Sequence, residues 1–147
     1  MPDRLTIDTI DAELAPGARN ALRVCLQLKP DERITIITDE ATRDIAAALQ
    51  AEVEEIGSDH AVFVLENYDS RPLTKMPRPI LDDLAQSQVS IFAAQSAPGE
   101  LTARRDMTAV VNRQQAMSNG YYANPVTPIP ACAPSRRADP YQWPDCP

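Results

Sequence analysis

From its start to residue 117 the chain alternates helix-type and strand-type apolar patterns, and near Ser118 that alternation stops. The constraint on fold is strong, because strands separated by helical segments must pair in parallel through crossover connections. Ala18, Ala21, Leu22, Cys25 and Leu28 share one helical face, and Pro16 and Gly17 are expected to open that helix. Lys29-Pro30-Asp31-Glu32 ends it, since proline cannot continue the hydrogen-bond ladder. Arg33-Ile34-Thr35-Ile36-Ile37-Thr38 follows, mostly β-branched and apolar on both faces, as a strand covered on both sides requires.

The same unit recurs twice. Asp39 is placed to cap a helix whose inward stripe is Ile45, Leu49, Val53 and Ile56, and Gly57 suits a left-handed C-terminal cap. Ala61-Val62-Phe63-Val64-Leu65 reads as a second strand, and a long loop from Glu66 to Pro79 carries Pro72, Pro77 and Pro79. A helix with Ile80, Leu81 and Leu84 inward leads to a third strand, Val89 to Ala94. A last helix spans about Leu101 to Met117, with Met107, Val110, Val111 and Gln114 near one stripe. The expected fold is a three-layer α/β domain over residues 1–117 with a small, mostly parallel sheet.

Residues 118–147 hold seven of the 14 prolines and two of the three cysteines, and show no periodic segment. They read as an irregular or disordered proline-rich tail. A fourth strand is expected after the last helix, but proline cannot donate to a central ladder, so an unpaired sheet edge is expected instead. Pro125-Val126-Thr127-Pro128 and Pro144-Asp145-Cys146-Pro147 match a polyproline-ligand pattern, which is short and common.

Charge and cysteines narrow the function classes. The formal net charge is -7, all of it outside the tail, where Arg136 and Arg137 balance Asp139 and Asp145. Such a surface repels phosphate backbones and anionic lipid, so neither nucleic acid nor membrane is an expected partner. No signal-peptide pattern or membrane-length apolar run is present, and the odd cysteine count reads as reduced thiols. The expected location is cytoplasmic. Cys25 is expected to be a small buried hydrophobe, and with one histidine, His60, and no C-x-x-C pair, a cysteine-based metal site is not expected.

Ligands of open parallel sheets bind beyond the carboxyl ends of the strands. Those ends present Thr38, Asp39, Glu40 and Glu66 as the candidate cleft residues, an oxygen-rich set of the kind a hard cation prefers. The simpler reading is that Asp39 and Glu40 serve the helix that follows and that Glu66 opens a solvated loop. The turn Thr38-Asp39-Glu40-Ala41-Thr42 has no glycine to admit a phosphate, which excludes a dinucleotide or P-loop site. Ser87, Ser90 and Ser96 lack a nucleophile elbow, and His60 falls at the opposite end of the sheet. Arg104 and Arg105 are expected on a solvated face, with Asp106 near enough to pair. No catalytic residue and no metal ligand is assigned within the chain.

Ala15 to Asn20, Cys25-Leu26 and Glu32 to Thr42 resemble the start of aminopeptidase T-like (leucyl aminopeptidase) metallopeptidases. The likeness continues through Arg71-Pro72-Leu73, Ile80 to Leu84, Gln88 to Ala93, Gly99-Glu100-Leu101 and Met107-Thr108, covering about residues 10–115. The resemblance implies an N-terminal α/β half of a two-domain enzyme that releases N-terminal amino acids from peptides. It implies a divalent metal pair (Zn, Co or Mn) held by a second domain, so no cofactor is expected in this chain and peptide is a substrate only of the full-length family. A homo-oligomer is a further expectation. A related branch is similar to iron-dependent hydroxypyridine dioxygenases, and this half does not separate the two. The change after Met117 is expected to reflect a truncated or frameshifted reading frame; a stand-alone binding module with a docking tail is the alternative.

Overall fold

The computed structural model of the chain describes residues 2, 3, 5 and 12–118, with side chains within the last stretch described as far as Arg113. The expectations for Gln114, for the tail and for the boundary before it lie outside the described residues. Helix α1 (Leu14–Arg19) continues into a π-helical turn (Asn20–Cys25). Then come β1 (Arg33–Thr38), α2 (Arg43–Ile56), β2 (Asp59–Val64), α3 (Arg78–Leu84), β3 (Val89–Phe92) and α4 (Leu101–Ser118). Short 3-10 turns at Glu40–Thr42 and Leu65–Asn67 follow β1 and β2.

The described strands form one parallel sheet in the order β2-β1-β3. In register, Ile36 of β1 sits between Val62 and Ile91, and Ile37 between Phe63 and Phe92. Because side chains alternate across a strand, these neighbours divide into two cores. Ile34, Ile36, Val62, Val64 and Ile91 pack against Ala18 and Leu22 of the first helical segment and Ala46, Leu49 and Val53 of α2. Ile37, Ala61 and Phe63 face the other way, onto Ile80 and Leu84 of α3 and Ala103 and Met107 of α4. The three-layer α/β expectation holds.

Local punctuation follows the sequence closely. Gly57 adopts φ 84°, a left-handed cap that a Cβ-bearing residue resists, and its N–H reaches the Val53 carbonyl at 2.9 Å. Asp39 caps the turn into α2, its side chain accepting from the Thr42 N–H while the Thr42 hydroxyl faces the Asp39 N–H.

Several details differ from expectation. The first helix begins at Leu14, and Pro16 sits in its first turn, where a missing N–H costs no intrahelical bond. Cys25 is exposed, not buried. The physical reason is the π-helical turn: Leu26 donates to the Ala21 carbonyl at 2.9 Å, an i→i+5 closure. The wider turn needs more residues to return to the buried face, so Cys25 falls short of it, and Leu26 is half-buried in its place. Ile45 is 43% exposed, because the face α2 turns inward centres on Ala46, Leu49 and Val53. Strand β2 starts two residues earlier than expected and β3 ends at Phe92. Arg105 is exposed as expected, while Arg104 is half-buried, 4.8 Å over the Phe92 ring, and Asp106 accepts from the Met76 N–H.

Candidate functional site

The two connections of this sheet step in opposite directions from β1: one through α2 to β2, the other from β2 through α3 to β3. Crossovers of one hand that step opposite ways lie on opposite faces, and the packing of α2 and α3 shows this. The strand order therefore reverses between β1 and β3, and the crevice beyond their carboxyl ends is where open α/β sheets receive ligands. Asp39 follows β1 at that point, and Gln95 lies just past β3.

The crevice is filled from within. Arg71, in the loop between β2 and α3, donates through Nη1 to Asp39 Oδ2 at 2.6 Å and through Nη2 to the Gln95 carbonyl at 2.7 Å. It also forms a bidentate pair with Glu100, Nε to Oε1 at 2.7 Å and Nη2 to Oε2 at 2.6 Å. Glu66 approaches Nη1 at 3.7 Å. One guanidinium thus ties together the segments that follow β1, β2 and β3. Its side chain is 15% exposed, and those of Asp39 and Glu100 are 2% exposed.

Asp39 has no acceptor capacity to spare. Oδ1 takes the Thr42 N–H at 2.9 Å and the Thr42 hydroxyl at 2.7 Å, while Oδ2 takes Arg71 and the Gln95 N–H at 2.7 Å. Burial alone pushes this carboxyl upward, but the bonds from Thr42, Gln95 and Arg71 together outweigh it and leave the pKa lowered. For Glu100 the Arg71 hydrogen bond dominates and lowers the pKa, against burial, with the Leu73 N–H at 3.1 Å adding to it. The Arg71 pKa is raised, chiefly by Glu100 and then by Asp39, against the opposing effect of burial.

All four candidate residues do gather at this end of the sheet. Thr38 is buried and its hydroxyl meets that of Thr42 at 2.9 Å. The Glu40 carboxylate lies at the surface beside Arg43 at 3.2 Å, while the Glu40 N–H donates to Glu66 Oε2 at 3.2 Å. They do not converge on an open cation site. Among the described residues no group of three His, Cys, Asp or Glu could hold a metal ion. The donor set explains why: a guanidinium already stands within hydrogen-bond distance of both buried carboxylates, and a divalent cation there would meet its charge. These residues, with Arg71 among them, do not fit a divalent cation.

Arg71 and Glu100 were not among the candidates read from sequence. Their partners are 32 and 29 residues distant, so no local spacing betrays them. The available signal was electrostatic: carboxylates gathered at strand ends call for a buried cation. His60 lies at the far end of the sheet as expected, its Nε2 3.8 Å from Glu54. At that end Arg33 bonds both Asp59 and Asp83, and Asp83 accepts from Thr35 at 2.6 Å. That network also joins strands to a helix.

No protein-family model matches the chain, and no curated protein matches it. Among the described residues no helix is long and apolar enough to cross a membrane.

Proposed function

We propose that this chain is a non-catalytic α/β scaffold domain, of the kind that forms the N-terminal half of aminopeptidase T-like metallopeptidases. The observation that supports this reading is the saturation of Asp39. The carboxylate best placed to meet a ligand at the sheet's switch point spends all four acceptor sites on Thr42, Gln95 and Arg71. A group so committed holds loops in place and has no lone pair left for a metal or a substrate proton. In the family, the metal pair and the peptide's N-terminus belong to a second domain, which this layer would support. The dioxygenase branch shares the same half, and the scaffold role is common to both. A reducing, cytoplasmic setting suits a free exposed thiol such as Cys25.

Purified protein incubated with leucine p-nitroanilide and Co²⁺ or Zn²⁺ tests the reading. The expected result is no release of p-nitroaniline above the metal-only control. Metal-dependent hydrolysis that co-purifies with the chain overturns it.

A further inference from the structure

The acceptors that hold Arg71 are themselves held by bonds in which its side chain takes no part. Asp39 Oδ1 is fixed by the Thr42 N–H and hydroxyl, and Oδ2 by the Gln95 N–H at 2.7 Å. That last bond also sets the Gln95 backbone, whose carbonyl accepts from Arg71 and, at 3.4 Å, from Arg104 Nη2. Glu100 stands just before α4, and the first turn of that helix closes on its carbonyl from the Arg104 N–H at 3.1 Å. Its Oε1 accepts from the Leu73 N–H at 3.1 Å, and Leu73 is anchored in the core shared with α3 and α4. Both oxygens of Glu100, Oδ2 of Asp39 and the Gln95 carbonyl are spaced for one planar fork. They take four of the five guanidinium N–H groups. Two buried carboxylates thus face one cation, so the crevice stays acidic even when filled.

We infer that this crevice is a preformed receptor for an alkylguanidinium, filled by Arg71 as a tethered ligand, and that it takes the same group from solution once that side chain is removed. Acceptors already ordered by other bonds lose little further freedom when the cation arrives, which is what makes the site a receptor. Shape selects the chemical class. An ammonium offers three donors from one centre and cannot engage Glu100 through both oxygens while also reaching Asp39 and the Gln95 carbonyl. In the parent chain the receptor is closed, because a ligand from solution competes with a group that the chain itself holds beside the site. The inference is independent of the scaffold reading: a chain that hydrolysed peptides could hold the same receptor.

Ethylguanidinium supplies the atoms that Arg71→Ala removes beyond Cβ, and it is the probe. Unfolding of the full-length variant is followed with ethylguanidinium or ethylammonium added at millimolar concentration and constant ionic strength. At about ten times its dissociation constant, ethylguanidinium should raise the folded-to-unfolded ratio of the variant about tenfold. The Leu73 and Gln95 amide resonances should shift with the same dissociation constant, and the parent chain should show neither change. No gain in the variant overturns the receptor, as does an equal gain in the parent chain. An equal gain from ethylammonium overturns the guanidinium class. Combining Arg71→Ala with Glu100→Gln should abolish the gain, and a gain that survives there places the ligand elsewhere and overturns the inference. Should Arg71→Ala not fold alone, recovery of its helical circular dichroism on titration with ethylguanidinium is the readout, and no recovery overturns the receptor.

Discussion

Arg71 shows how much depends on where a charge sits. Arg78 and Asp82 pair on the surface of α3 with side chains 84% and 61% exposed, an arrangement that contributes little because water screens it. Arg71 compensates two carboxylates that are almost wholly removed from water. Replacing it by alanine strands both, and urea denaturation should report a loss of about 3–5 kcal/mol, the range for breaking a buried pair from one side. Arg71→Lys should recover only a small part, since an ammonium cannot present the planar fork that holds Glu100 through both oxygens. Full recovery by lysine would mean that only net charge matters here. The same network sets an acid response. Asp39 and Glu100 have pKa values lowered from 3.8 and 4.5, so the folded state binds their protons less readily than the unfolded chain does. Their contribution is complete above about pH 4.5 and is lost as pH falls through the depressed values. Denaturation midpoints followed from pH 6 to pH 2 should decline more steeply in the parent chain than in Arg71→Ala, which loses the leading cause of the Glu100 shift and one of several causes of the Asp39 shift.

At the scale of elements, the legible features were those written in neighbouring residues. Strand β1 runs from Arg33 to Thr38 as its β-branched pattern predicts, Gly57 takes the left-handed cap, and Asp39 takes the N-cap. The first helix starts at Leu14, ahead of the expected Pro16-Gly17 opening, and follows the expected face through Ala18 and Leu22 before departing from it. A π-helical turn changes which carbonyl each N–H seeks, and no composition announces it, so Cys25 was placed one face away from where it lies. Iodoacetamide added to the native protein should therefore label Cys25 about as fast as an unstructured thiol, as peptide mapping would show. Protection until denaturant is added would restore the buried placement. The Arg71 network was illegible for another reason: its members sit on three connections, and only the folded sheet brings them together.

For the whole molecule, strand order carries the functional argument. The reversal between β1 and β3 creates the one position where a sheet of this kind ordinarily opens to a ligand, and Arg71 occupies it. Ion pairs tie the structure together at both ends of the sheet: Arg71 with Asp39 and Glu100 joins the segments that follow the strands, and Arg33 with Asp83 joins β1 to α3 at the other end. The most direct test is to equilibrate the purified full chain with Zn²⁺, Co²⁺ or Mn²⁺, dialyse it, and measure bound metal by mass spectrometry. The account predicts metal well below one equivalent per chain, unchanged in Glu40→Gln and Glu66→Gln variants. A full equivalent retained by the parent chain and lost in either variant would contradict it.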